Sequence, residues 1–278
     1  MTTLINGFRS GLLLVCLMAF SLPGCIVYMP PGPQLPAKPE PPEASGTLLQ
    51  PQLRIGTSPD YMPLAYKDAA FGLVGVEIDF AIQLGNGLGK SIVFVEMPFS
   101  ELIQALLEER IDIVMSGMSI TRERTERVSF TDSYARVGQM ALVRGRDRSA
   151  FPDVQLFANL TSGVGLVRQT TGEMAAKAFF PQATLVPQPT IDIGIAALRK
   201  REIDVFIHDA PTVWRIAGNS KEKELEGLYW PLTNEPLAWA VRKNDEPLRF
   251  ALNRQLENWR ADGSLKQTLS RWVPLKIW

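Results

Sequence analysis

Three arginines crowd into six residues where an apolar run ends. Residues 114–130 read VMSGMSITRERTERVSF, with Arg122, Arg124 and Arg127 following Ser116, Gly117, Met118 and Ser119. A guanidinium offers two parallel donors, so an arginine beside small residues could grip a carboxylate. Spacing alone does not choose among the three, and each could equally lie on a solvated helix face. A second apolar run, IDVFIHDAP at 203–211, stops at His208 and Asp209. A carboxylate there could receive a cation, or cap the helix that follows. Thr171 precedes GEMAAKAFF and would place a hydroxyl and an amide at a helix N-terminus, which favours anions.

Strands and helices must position these groups. Leu53 to Thr57, Ser91 to Glu96 and Ile111 to Met115 read as strands. Glu77 to Leu88 reads as a helix with Ile78, Ala81, Ile82 and Gly85 on one stripe. Ser100 to Glu109 reads as another, with Leu102, Ile103, Leu106 and Leu107 inward. A second set follows Arg144: strands at 163–167, 183–186 and 203–207, and helices at 172–180 and 190–201. Two closing helices carry Leu252, Leu256 and Trp259, then Leu265, Leu269 and Trp272. Such alternation argues for parallel α/β sheets. ALLEERIDIVMSG (105–117) lines up with ALRKREIDVFIHD (197–209), either as shared strand–helix grammar or as a repeat. If it is a repeat, Ser116-Gly117 and His208-Asp209 end equivalent strands and could face one cleft.

Composition narrows the function. The 278 residues carry no net formal charge and no long basic run, so no nucleic-acid partner is expected. The only cysteines, Cys16 and Cys25, precede the folded region, and His208 is the single histidine. No metal, cofactor or disulfide is therefore expected. Gly11 to Leu22 is a compact apolar run behind Arg9, as in a secretory signal. It ends in Leu22-Pro23-Gly24-Cys25, which resembles a bacterial lipobox, although Pro23 departs from the usual pattern. The expected layout is a signal peptide at 1–24, then a lipidated Cys25 and a proline-rich tether at 25–51; the alternative is an uncleaved anchor. Both put the rest of the chain outside the cytoplasmic membrane.

LRIGTSPDYMPLAYKD, GLVGVEIDFA, the long run FVEMPFSELIQALLEERIDIVMSGMSITRERTERVSFTDSY and IDVFIHDAP occur in that order. Together they resemble the family 3 extracellular solute-binding proteins, the amino-acid receptors of ABC importers. The resemblance runs from about Leu53 to Trp272. It implies a two-lobed, type II periplasmic binding protein-like α/β fold. Residues 52–142 and 237–278 would form lobe 1 and 143–236 lobe 2, crossing at 138–144 and 236–242. It implies that Arg124 and Ser119 hold an amino acid's carboxylate, with Thr171 donating from the second lobe. Asp209 and the Gly117 carbonyl would receive the ammonium, Tyr61 and Phe99 would wall the stem, and Ser116 belongs to the same loop. Ser58 stands where basic-binding relatives often carry an acid, while His208-Asp209 and Arg168 suggest a polar, neutral or acidic side chain. The partners implied are an ABC permease and, through Cys25, a membrane; a monomer is expected. Two rivals share the fold: a cyclohexadienyl dehydratase-like enzyme using Glu173 as general acid, and the ligand module of a sensor.

Overall fold

Short strands alternate with helices along the whole folded region, as the periodicity predicts. The structure, a computed structural model, describes residue 43 and residues 46–218, 224–228 and 231–273. All of these fall in one compact unit, Pro41–Trp278. The signal peptide, Cys25 and most of the expected tether lie outside the described residues. The elements in chain order begin with β1 (Gln52–Thr57), β2 (Asp60–Tyr61), β3 (Ala65–Asp68), β4 (Gly72–Val74) and α1 (Val76–Leu88). Next come β5 (Ser91–Glu96), α2 (Leu102–Leu107), β6 (Ile113–Val114), α3 (Arg122–Thr125), β7 (Ser129–Phe130), β8 (Ala135–Val137) and β9 (Gln139–Arg144). Then follow β10 (Gly163–Val167), α4 (Thr171–Phe179), β11 (Thr184–Gln188), α5 (Ile191–Arg199), β12 (Val205–Asp209) and α6 (Ala210–Ala217). The chain closes with β13 (Leu225–Gly227), β14 (Glu235–Leu237), β15 (Ala240–Val241), α7 (Glu246–Asp262) and α8 (Ser264–Trp272).

Two five-stranded sheets carry the two lobes, in the orders β5-β1-β6-β15-β7 and β11-β10-β12-β9-β13. In each, a central strand has parallel partners on both sides, β5 and β6 around β1, and β11 and β12 around β10. In each, the next strand outward runs antiparallel. The 105–117 and 197–209 segments thus hold the same place in both sheets, and their match is architectural. The strands β6 and β12 end at the same kind of crevice, outside the carboxyl edge where α/β sheets bind ligands.

The chain changes sheet through β8 and β14, which pair antiparallel with Val137 opposite Glu235 and Ala135 opposite Leu237. The crossing therefore precedes Gln139, and residues 139–142, expected in lobe 1, belong to the second sheet. Gly138 is the one break in the β-prone run 135–144, and it falls between β8 and β9, where the pairing switches. Residues 46–49, expected in the tether, instead belong to the folded region. A 3₁₀ turn at Gly46–Leu49 packs on the first lobe at the amino-terminal edge of β1. Its Thr47 hydroxyl donates to Asp245 and accepts from Arg242 at 2.9 Å, while Lys90 Nζ donates to the Leu48 carbonyl at 2.7 Å.

The first-lobe core gathers Leu53, Ile55, Phe80, Leu84, Trp239, Leu252 and Leu256, all fully buried. Each such side chain contributes about 1.5–3 kcal/mol relative to exposure. Phe80 stacks on Trp259 at 5.5 Å and meets Trp239 and Tyr134 edge-on. Two predicted helix faces are corrected. Ile82 is half exposed, because α1 buries Glu77, Ile78, Phe80, Ala81 and Leu84 instead. Leu107 is 40% exposed, because α2 ends there and its inner face is Leu102, Ala105 and Leu106.

Candidate functional site

The cleft between the sheets encloses about 40 Å³, and nine of the eleven residues expected in a site line it: Ser58, Tyr61, Phe99, Gly117, Ser119, Arg124, Thr171, His208 and Asp209. It shares Ser58, Asp60, Phe99 and Val167 with a wider groove of about 810 Å³ along the mouth. Two expected residues are elsewhere. Ser116 spends its hydroxyl on the Ser58 amide, accepting at 2.9 Å, and so ties β6 to the loop after β1. Arg168 is exposed and lines only the wider groove, because β10 ends at Val167 and the next residue turns outward.

Of the three arginines, only Arg124 is buried; Arg122 and Arg127 are exposed. Thr121 caps α3 by accepting from the Arg124 amide, which fixes the start of that single turn. The Arg124 guanidinium donates to the Ser119 carbonyl at 2.9 Å and, across the cleft, to the Gln169 carbonyl at 3.0 Å. It also lies over the Phe99 ring at 5.3 Å, a cation–π distance. Burial pushes its pKa down, while Asp209, Glu235 and Glu123 oppose that shift. Gly117 sits at φ 64°, which a side chain would strain. A Cβ there would also fall 2.6 Å from the Tyr61 ring and 2.7 Å from Leu64. Its amide donates to buried Glu77 at 2.6 Å, as do Tyr134 Oη at 2.6 Å and Trp239 Nε1 at 2.9 Å. Burial raises the Glu77 pKa, and these three donors pull it back.

Asp209 occupies the N-cap position of α6, yet its side chain makes no capping bond. Its carboxylate instead accepts from the Tyr61 hydroxyl across the cleft and from Gln139 Nε2. Burial, and then the nearby Glu235 carboxylate, push the Asp209 pKa up to about 7. His208 is held neutral, with burial taking its pKa down to about 3, and its ring meets Tyr61 edge-on at 5.3 Å. Thr170, rather than Thr171, caps α4; Thr171 opens the helix, and its hydroxyl accepts from Gln139 at 3.0 Å. Ser119 Oγ donates to Glu235 at 2.7 Å, and Ser58 Oγ donates to Asp60 at 2.7 Å.

Sequence reasoning missed Asp60, Gln139, Val167, Thr170, Gly172 and Ile191, which complete the lining. Asp60 had a signal, an acid two residues after Ser58 in the loop leaving β1. Gln139 had a weaker one, a lone amide in the apolar run GQMALVR. Glu173 does not reach the inner cavity. It accepts from the Gln169 amide and pairs with Lys177, which hold its pKa down. Among the described residues no acidic, histidine or cysteine cluster could hold a metal, and no helix is long and apolar enough to cross a membrane.

Known proteins share both sequence and architecture. The histidine-binding periplasmic protein of Escherichia coli strain K12 is 28% identical over 243 residues, covering 81% of this chain and 89% of its own. Two solved structures superpose with TM-scores of 0.76 at 30% identity. One is a lysine complex of a putative ABC transporter binding component from Wolinella succinogenes, covering 83% of this chain and 99% of its own. The other is an ancestral amino acid-binding protein described as a precursor of cyclohexadienyl dehydratase, covering 81% and 97%. The profile of the bacterial extracellular solute-binding proteins, family 3, matches residues 53–274, and the chain belongs to that family.

Proposed function

We propose that the protein is an extracytoplasmic receptor that closes its lobes on a free amino acid and delivers it to an ABC importer. The observation that carries this reading is the pairing of Arg124 and Asp209, a buried cation and a buried acid from opposite lobes lining one small cavity. A zwitterion matches that pair, its carboxylate going to Arg124 and the amide end of α4, its ammonium to Asp209. Tyr61, Phe99 and neutral His208 supply the walls, and Ser58, Gly117, Ser119 and Thr171 the remaining polar surface. Bridging both lobes favours the closed form by hinge movement. Cys25 and the tether would hold the monomeric receptor near its permease.

The sequence points to a polar, neutral or acidic side chain; Asp60 favours revising that toward a neutral amide or a basic one. Its carboxylate stands at the rim beside Ser58, where an acidic side chain would meet like charge and a nitrogen-bearing one would find an acceptor. The wider groove gives such a side chain room. A thermal-shift screen over the twenty amino acids tests the reading. Ligand at 1,000 times its Kd adds about 4 kcal/mol, or roughly 8–16 °C for a domain of this size. The amide or basic amino acids should shift the midpoint and glutamate should not; no shift with any amino acid would sink the proposal.

Likeness to the dehydratase precursor keeps an enzyme reading in view. An elimination needs a protonated general acid at the substrate. Glu173 is held ionised outside the inner cavity, which favours a receptor without catalysis. Incubation with prephenate and a watch for phenylpyruvate absorbance separates the two, and none should form.

A further inference from the structure

Gln139 is fully enclosed, at 1% exposure, on the first strand after the crossing. Its main chain is satisfied, the amide donating to Thr233 Oγ1 at 2.9 Å and the carbonyl accepting from Leu232 at 2.7 Å. Both side-chain N–H groups are used, on Thr171 Oγ1 and on the Asp209 carboxylate. Its Oε1 has no partner among the described residues, although it is buried and the side chain lines the cavity. With Asp209 ionised, the form that receives an ammonium, the amide cannot be turned over to cure this, because Oε1 would then face a carboxylate that only accepts. A buried carbonyl left unpaired costs about 1–3 kcal/mol, so such an atom points to a partner. Gly172 keeps the space open: a Cβ there would stand 3.2 Å from Oε1.

We propose that Gln139 is a ligand-contact residue borne by β9, directly after the hinge, its Oε1 accepting an N–H from the ammonium that Asp209 holds. An ammonium carries three N–H groups, and Gln139 Nε2 already fixes Oε1 beside the Asp209 carboxylate. The residue thus has two tasks, presenting Asp209 and taking a second N–H of the same ammonium. It is also continuous with the hinge. Its backbone reaches Thr233, whose hydroxyl donates to Glu235 at 2.5 Å, and Glu235 in turn accepts from Ser119 of the other lobe. Ligand contact is therefore made on β9, directly after the strand pair that links the lobes.

This inference rests on the amino-acid receptor reading, and the test separates the two. Calorimetry with L-histidine, L-lysine, L-arginine and L-glutamine first identifies which binds the full chain. Gln139→Met, similar in shape but lacking the amide, should then bind that amino acid about 10- to 100-fold more weakly, the range for hydrogen bonds to charged groups. A crystal structure of the wild-type complex should place the ligand nitrogen within about 3.2 Å of Oε1. It also decides the matter should the variant not fold. Unchanged affinity in Gln139→Met, or a ligand nitrogen beyond hydrogen-bond reach of Oε1, overturns this inference alone. A wild-type protein that binds none of the twenty amino acids overturns the receptor reading and this inference with it.

Discussion

Gly117 and Asp209 end equivalent strands of two equivalent sheets, yet they are held in opposite ways. Gly117 is fixed from within its own lobe, by Glu77 together with Tyr134 and Trp239. Asp209 takes its donors from Tyr61 of the other lobe and from Gln139 beside the crossing. The first half of the site is supported within one lobe, whereas the second depends on a bond across the cleft. One repeat thus supplies a preformed platform and the other a conditional one, an asymmetry that fits the proposed closure.

The largest test of this contrast removes the internal support. Glu77→Ala leaves three buried donors without an acceptor and should lower stability by about 3–5 kcal/mol in urea denaturation. A midpoint close to wild type would refute the preformed half. Arg124→Ala should weaken binding of the cognate amino acid by about 2–5 kcal/mol in calorimetry, and unchanged affinity would misplace the carboxylate. Asp209 offers a pH test. Its folded pKa of about 7 lies above the ordinary 3.8, so the folded chain holds that proton more tightly than the unfolded one. Its stabilising contribution is therefore full below about pH 4 and is lost as pH rises through about 7. Ligand-free Asp209→Asn should gain about 1–3 kcal/mol over wild type at pH 8 and lose that advantage near pH 4. Ionisation of Asp209 also favours the ammonium, so wild-type affinity should climb with pH up to about 7 and then level off. The smallest effect belongs to Tyr61→Phe, which loses one cross-cleft bond worth about 0.5–1.5 kcal/mol. Its ligand-free radius of gyration by small-angle scattering should exceed that of wild type.

Much of this was legible in the residues. Periodicity located both strand–helix sets, and the family resemblance singled out Arg124 where spacing could not. Burial explains why that choice matters: Arg124 faces the cleft while Arg122 and Arg127 face solvent. What was illegible depended on contacts between distant segments. The switch of sheet before Gln139 is marked by Gly138 alone, and a lone glycine does not say which sheet the next strand joins. Ser116 looked like a site residue until its hydroxyl was seen to serve the Ser58 amide, and Glu77 stood in the sequence only as the start of a helix. Ile82 and Leu107 fit an apolar stripe but sit at the exposed margin of their helices.

The short turn at Gly46–Leu49 has a mechanical meaning. It is clasped by Arg242, Asp245 and Lys90, all of the first lobe, at the sheet edge opposite the cleft. Any pull arriving through the preceding chain therefore enters the molecule through the first lobe alone. The second lobe takes no part in that clasp and is reached only through the rest of the molecule, so the proposed closure would proceed without working against such a pull.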